Sequence, residues 1–300
     1  MSVWEPSKNH STNNHGSSVG RRPLLWLNVL CLDAPLIAIG WKWLFAREFS
    51  VLLSASATQS LFLTAWLIYA LDRFSDSLSL GPNVPRSLRH EFCLRHKNVW
   101  LALIFVIAGL DASTVFRRLE HELLLIGLIL GGLAAVYLLI NYKFDKLWQT
   151  VPLKEVMIGF LFAAGTLFAP AARLSSATST LAKSTFAFMA VLFAILCSLN
   201  CMSIAVWERD LDRTQGKYSI ATQWPAAKLY TRVALLVLTV ICIAFAFFDR
   251  GLRTFTVCLG LSSALLSALY FLPLLTDERV ALADLVMLTP LALLLGQVLL

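Results

Sequence analysis

The sequence predicts an all-α protein, a multi-pass transmembrane bundle of about nine helices. Of its 300 residues, 58% are hydrophobic and only 14% are charged, and the mean hydropathy is +0.72. A typical soluble domain carries about 25% charged residues. Apolar runs of roughly 17 to 25 residues, the length that crosses a bilayer as a helix, can be placed nine times. The runs cover residues 24–45, 51–71, 100–116, 123–140, 156–174, 186–207, 229–248, 255–275 and 280–300.

The segment before the first run has a different composition. Residues 1–20 are rich in Ser, Asn, His and Gly and contain no apolar segment. This predicts a disordered polar tail, without a cleaved signal peptide, followed by a single transmembrane domain over residues 21–300.

Charge in the connecting loops predicts the orientation. The net charge is +7, but the basic residues are concentrated between apolar runs, so nucleic-acid binding is not indicated. With the N-terminus in the cytoplasm, roughly two thirds of the Lys and Arg residues lie on the cytoplasmic side, in agreement with the positive-inside rule. We expect a bacterial cytoplasmic membrane protein whose active site faces the cytoplasm.

The first apolar run contains a carboxylate, Asp33. A charged residue within a span costs about 2.5 to 3.5 kcal/mol on insertion scales, so it should have a polar partner or face a cavity. Two interpretations stay open: Asp33 faces a substrate, or it caps a helix end near Pro35.

Two similar acidic motifs follow the second and sixth runs. The first contains Asp72, Arg73 and Asp76, and the second contains Glu208 and Asp212. Acids four residues apart lie one turn apart on a helical face, so each motif can present two carboxylates to one cation. Both motifs are predicted on the cytoplasmic side, which indicates one shared site. Asp210 is offset from both acids of its motif and is expected to point elsewhere.

Basic residues are predicted at the same membrane face. Arg89 and His90 lie in the loop after the first motif, and Lys146 and Lys154 lie between the fourth and fifth runs. Such side chains can bind phosphate as point charges, or they can extend to the lipid headgroups. For Lys143 we favour the headgroup interpretation.

This combination of residues predicts a chemistry. Paired carboxylates with nearby Lys and Arg suit Mg²⁺, which is commonly shared between one or two carboxylates and substrate phosphates. A diphosphate held in this way is a good leaving group, and the apolar spans would shelter a long hydrocarbon tail. The sequence therefore predicts transfer from a prenyl diphosphate to a lipophilic acceptor, such as an aromatic quinone precursor, in contact with membrane lipid.

These motifs resemble the UbiA superfamily of intramembrane prenyltransferases. Its members have nine spans, a motif of the form NDxxDxxxD after the second span, and DxxxD followed by GxxS/T after the sixth. Residues 208–221 are similar to the second motif, and residues 142–146 look like a connection whose lysine, here Lys146, contacts diphosphate. The first motif departs from the pattern, because Ile68 and Tyr69 stand where the family has Asn and Asp.

The resemblance implies a role for each candidate residue. The four acids would be the catalytic metal ligands for Mg²⁺, and five basic residues would hold the diphosphate. The acids are Asp72, Asp76, Glu208 and Asp212, and the basic residues are Arg73, Lys146, Lys217, Arg89 and Lys154.

Two alternatives belong to other classes. Alcohol phosphatidyltransferases also use membrane-face aspartates, but their Asp-Gly and Ala-Arg elements are missing from both motifs. A transporter or a non-catalytic scaffold would explain the incomplete first motif, whereas charges gathered at one face argue against transport.

Overall fold

A computed structural model describes residues 23–81, 83–144, 146–151, 153–174 and 178–299. Every regular element in these ranges is helical, which confirms the all-α prediction for the described part of the chain. The predicted tail, residues 1–20, lies outside it. The helices are α1 Pro23–Val29, α2 Asp33–Glu48, α3 Ala55–Ser79, α4 Leu88–Arg95, α5 Lys97–Arg118, α6 His121–Lys143, α7 Leu147–Thr150, α8 Lys154–Ala172, α9 Thr180–Trp207, α10 Arg209–Gln215, α11 Ile220–Gln223, α12 Ala227–Phe248, α13 Arg253–Ala268, α14 Thr276–Leu285 and α15 Thr289–Leu299, with a 3₁₀ turn at Val286–Leu288.

Six helical segments are long and apolar enough to cross a membrane. They are α5, α6, α8, α9, α12 and the segment Thr276–Gly296, which includes α14. This agrees with a multi-pass membrane protein. The other three predicted runs are helical but fall short for separate reasons. The first run is divided into α1 and α2, α13 has only 16 residues, and α3 carries polar residues such as Ser60 and Thr64.

The buried core is centred on α9, which packs against α8 on one side and α12 on the other. Trp41 stacks on Phe193 with ring centroids 4.6 Å apart, and Phe255 packs edge-on against Trp41. At the α8–α9 crossing, a Cβ atom added to Gly159 would lie 2.4 Å from the backbone nitrogen of Ser198. The close approach of α8 and α9 therefore requires glycine at this position.

A break between α1 and α2 interrupts the first predicted span. Cys31 has a positive φ of 57°, and the break takes the usual partner four residues on from the last carbonyl groups of α1, although that of Asn28 still accepts from the backbone nitrogen of Cys31 at 3.1 Å. Two side chains of α3 satisfy them: Arg73 donates to the carbonyl oxygens of Asn28 and Val29, and Trp66 Nε1 donates to that of Leu30. Backbone groups must find such partners in an apolar environment, so α3 stabilises the break.

Asp33 is the first residue of α2 and is 1% exposed. Its Oδ1 accepts from the backbone nitrogen of Ala34, and Asn28 Nδ2 donates to both Asp33 and Asp284, at 2.7 and 3.0 Å. Asn200 also donates to Asp284. Asp33 thus begins a helix within a buried polar network, and it is not among the residues that line the main cavity. Asp33 therefore lies at a helix start, as one of its two interpretations expected, and its contact with a substrate stays a prediction.

Candidate functional site

A cavity of about 760 Å³ lies between α3 and α5 on one side and α6 and α8 on the other. At the end where α3 and α9 finish, all four acids of the two motifs line it, namely Asp72, Asp76, Glu208 and Asp212. The remaining wall is mostly apolar. The structure thus brings together the two motifs that the sequence predicted to share one site, while the role of the acids as metal ligands stays a prediction.

The acids of the first motif are on the last turns of α3, and each has a polar partner. Asn141 Nδ2, on α6, donates to Asp72 Oδ1 at 3.1 Å. Lys217 Nζ lies 2.7 Å from Asp76 Oδ2. Because Lys217 follows the second motif in sequence, its ion pair with Asp76 joins the two motifs directly.

The second motif lies at a junction between two helices. Glu208 follows the last residue of α9, and the backbone nitrogen of Asp212 donates to the carbonyl oxygen of Glu208 at 2.8 Å, which keeps the two acids one turn apart. Gly216, with a φ of 69°, then ends α10 in the left-handed conformation that glycine adopts most readily. This turn directs Lys217 back toward α3.

Three basic side chains line the cavity beside the acids. Arg89, on α4, pairs with Glu208 at 2.5 Å between Nη2 and Oε2. Lys154, at the start of α8, and Lys217 each interact electrostatically with Asp72 and Asp212, one acid of each motif. The two lysines therefore lie within the electrostatic range of both motifs, where an anion bound between the motifs would be close to positive charge.

Arg73 makes contacts that the sequence did not predict. It is 4% exposed, and besides the α1 carbonyl groups its guanidinium donates to the hydroxyl of Tyr69 at 3.0 Å. Arg73 lines the cavity, and these bonds hold it against α1. Its role in binding diphosphate stays a prediction. Tyr69, at a position where the resembled motif has Asp, is part of this contact.

Two further residues lie away from the cavity. Lys146, which precedes α7, is exposed and is not among the residues that line the cavity, and its contact with a diphosphate stays a prediction. Its neighbour Asp145 lies outside the described residues. Asp210 is exposed and also does not line the cavity, in agreement with its expected orientation.

The local environment shifts the pKa of two groups at the acidic end of the cavity, Asp212 and His90. Burial, and then the negative charge of Glu208, raise the pKa of Asp212 to about 6. Burial, together with the positive charges of Arg89 and Lys217, lowers the pKa of His90 to about 2. His90 is therefore neutral at physiological pH, whereas Asp212 takes up a proton in mildly acidic solution.

Sequence reasoning missed three polar residues that line the cavity. Glu155 is 5% exposed; its Oε1 accepts from the backbone nitrogen of Ile220 at 3.1 Å, and its Oε2 has no hydrogen-bond partner among the described residues. The hydroxyl of Tyr137 and the Oδ1 of Asp111 also lack partners in the described part of the chain. An isolated carboxylate in an apolar run, as at Asp111, is a usable sequence signal, since intramembrane acids are rare.

The cavity opens sideways between α5 and α6. These helices follow each other in sequence, yet α5 packs against α3 while α6 packs against α8, and within the described ranges α5 and α6 do not pack closely. Several small residues belong both to the cavity wall and to the outer surface there, including Ala108, Ala112, Gly132 and Ala135. In a bilayer this opening would face lipid.

The four acids can be compared with the ligands that metal ions usually take in proteins. Among the residues that the structure describes, no three His, Cys, Asp or Glu side chains are close enough to hold a metal ion together. Mg²⁺ does not require such a cluster, because it commonly takes one or two carboxylates and completes its shell with water and phosphate. The pairs Asp72 with Asp76 and Glu208 with Asp212 fit that arrangement.

Comparison of the chain with protein-family models, curated proteins and solved structures finds no match. The functional argument therefore depends on the cavity and on the residues that line it.

Proposed function

We propose that the protein is a Mg²⁺-dependent, UbiA-type transferase that moves a prenyl group from a prenyl diphosphate to a lipophilic acceptor, such as an aromatic quinone precursor. The observation that carries this proposal is that four acids from two distant motifs line one largely apolar cavity with Arg89, Lys154 and Lys217. Charges at one end suit a diphosphate, and the apolar remainder suits a hydrocarbon chain.

In this proposal the acid pairs Asp72 with Asp76 and Glu208 with Asp212 hold the metal. Bound there, Mg²⁺ would neutralise the diphosphate and improve it as a leaving group. Lys154, between the motifs, supplies positive charge to the same anion.

The basic partners of the acids also change roles. Lys217 is paired with Asp76, and Arg89 with Glu208. If the two acids held a cation, Lys217 and Arg89 would both be available to the phosphate oxygens. The apolar wall keeps water from the allylic carbon, so the acceptor is the nucleophile that reaches it.

The proposal includes the membrane arrangement. Three further helical regions would bring the number of membrane crossings to nine. They are α1 together with α2, which is broken, α3, which is polar, and α13, which is short. The acidic end of the cavity faces the cytoplasm of a bacterial cell, as the distribution of basic loop residues favours.

The full-length protein in lipid nanodiscs provides the test. It would be incubated with Mg²⁺, radiolabelled prenyl diphosphates of 10 to 20 carbons and a panel of aromatic acceptors, while product and released diphosphate are measured. We expect Asp212→Asn to lower the rate roughly 100-fold or more, because the loss of a metal ligand would weaken binding of the Mg²⁺ that neutralises the leaving diphosphate. Asp210→Asn is the matched control, since it removes an exposed aspartate of the same helix outside the cavity.

Equal effects of the two substitutions would contradict the proposal. So would the lack of any product or diphosphate release across all donors and acceptors, together with no stabilisation of the protein by Mg²⁺ and diphosphate. That combined result would favour the non-catalytic scaffold instead.

A further inference from the structure

A second polar group lines the cavity far from the acidic motifs. Asp111, on α5, is 8% exposed although its neighbours in sequence are exposed. Thr64 Oγ1 donates to Asp111 Oδ2 at 2.6 Å, and Ser60, one turn earlier on α3, lies near the same carboxyl group. The other oxygen, Oδ1, has no partner among the described residues. All three residues line the cavity.

The helix geometry of α3 gives the separation of this group from the acids. Thr64 precedes Asp72 by eight residues on the same helix, which corresponds to about 12 Å along the axis. Most of the intervening α3 residues that line the cavity are apolar, for example Leu61, Leu67 and Ile68. Asp111 therefore cannot touch a group bound between the two acidic motifs, and it forms a separate polar position in the apolar part of the cavity.

A purely structural role explains only one of the two oxygens of the Asp111 carboxyl group. The bond from Thr64 to Oδ2 joins α3 to α5, but it leaves Oδ1 buried and without a partner among the described residues. A buried polar atom without a hydrogen bond costs about 1 to 3 kcal/mol. An ionisable residue within a span is costly in itself and usually marks a functional position.

The opening between α5 and α6 brings ligands from the lipid side to this position. Ala108 and Ala112, three residues before and one residue after Asp111, lie both on the cavity wall and on the outer surface. A ligand that enters there meets Asp111 before the acidic end. A neutral hydroxyl suits the site better than an ammonium group, because moving a charge into an apolar region costs far more.

We infer that Asp111, supported by Ser60 and Thr64, is a subsite that accepts a hydrogen bond from the hydroxyl group of a lipophilic alcohol or phenol entering between α5 and α6. This subsite needs neither metal nor diphosphate, so it does not depend on the proposed transfer.

Competition between two ligands that differ in one hydrogen-bond donor tests the subsite. Radiolabelled 1-dodecanol would be bound to the full-length protein in detergent and followed by scintillation proximity. Unlabelled 1-dodecanol and its methyl ether, which has the same chain without the donor, would then compete. We expect the alcohol to compete roughly tenfold better than the ether, in line with a hydrogen bond to a charged group.

Substitutions at Asp111 and Thr64 test whether these residues cause the preference for the alcohol over the ether. Asp111→Leu should reduce the difference between alcohol and ether to less than twofold. Thr64→Val should reduce it in part, because Thr64 orients the carboxyl group. Thr239→Val is the matched control and should leave it unchanged, since Thr239 bonds only within α12 and does not line the cavity. Should Asp111→Leu fail to fold, the comparison of Thr64→Val with Thr239→Val still tests the subsite.

Three results would overturn the inference. Equal competition by alcohol and ether in the wild-type protein would show that no donor is recognised. A preference that survives in Asp111→Leu would place the hydroxyl elsewhere. A preference that disappears when Mg²⁺ and inorganic diphosphate are added in excess would place it at the acidic end, whereas a preference that persists supports the subsite.

Discussion

Acidification should weaken Mg²⁺ binding through Asp212. With a pKa of about 6, Asp212 is about one-tenth ionised at pH 5, whereas an aspartate with the ordinary value of 3.8 would be more than nine-tenths ionised. Metal binding requires the ionised form, so the proton competes with the metal. We therefore expect the apparent Mg²⁺ affinity to fall about tenfold between pH 7.5 and pH 5.

The measurement is a Mg²⁺ titration at several pH values, followed by thermal stabilisation of the protein in the presence of a non-hydrolysable diphosphate analogue. The analogue itself takes up protons in this range, and Asp212→Asn corrects for that effect. The difference between wild type and Asp212→Asn isolates the contribution of Asp212. An affinity that falls equally in both proteins, or that stays constant down to pH 5, would refute the reasoning.

The same pKa predicts the sign of a stability change without metal. The folded protein holds the Asp212 proton more tightly than the unfolded chain does, because the pKa is raised by folding. Between pH 3.8 and about 6 the unfolded state binds fewer protons, so this group makes the free energy of unfolding increase as the pH falls. The increase should be absent in Asp212→Asn.

Three further substitutions have expected outcomes. Lys217→Met should weaken binding of the diphosphate analogue roughly tenfold, measured by the same thermal shift, because a charged hydrogen-bond donor is lost. Arg73→Met should lower the free energy of unfolding by about 2 kcal/mol, measured by denaturant titration in detergent, because the Val29 carbonyl loses its donor and that of Asn28 keeps only the backbone nitrogen of Cys31 among the described residues; a change below 0.5 kcal/mol would contradict that role. Gly159→Val should destabilise the protein by more than 2 kcal/mol in the same titration, since its side chain would collide with the backbone of Ser198 on α9; Gly165→Val, where a Cβ atom meets nothing within 4 Å, is the control.

Much of the acidic end could be predicted because its residues follow a local spacing rule. Asp72 with Asp76 and Glu208 with Asp212 are each separated by one helical turn and follow apolar runs, so their sidedness could be inferred before their positions were known. Which acid pairs with which base depends on the packing between distant helices. The Lys217–Asp76 contact, 141 residues apart, has no signal in either segment.

Arg73 has contacts that such reasoning did not predict. Its position between two acids suggested an anion-binding role, because the motif was the only context visible in the sequence. The break at Cys31 creates carbonyl groups that need a donor, and Arg73 is the side chain that reaches them. Asp33 and Pro35 do suggest a helix end in the first apolar run, but no local pattern shows which distant side chain binds the freed carbonyl groups.

Asp111 and Glu155 were missed for a different reason. Each is a single carboxylate without a repeated spacing, and their importance comes from the cavity that α3, α5, α6 and α8 enclose. The apolar runs predict that these helices exist but not how they rotate about their axes, and the rotation decides which side chains line the cavity. Lys146 is the opposite case, because it is a suitable residue type at the expected position in the sequence but does not line the cavity.

The gap between α5 and α6, beside the apolar part of the cavity, has a consequence for turnover. In the proposed reaction the inorganic product is hydrophilic and the alkylated product is greasier than the compound that arrived. Each can depart into the phase in which it dissolves, one to water and the other to the bilayer. The two products do not have to pass each other, so both can leave the cavity without a large movement of the surrounding helices.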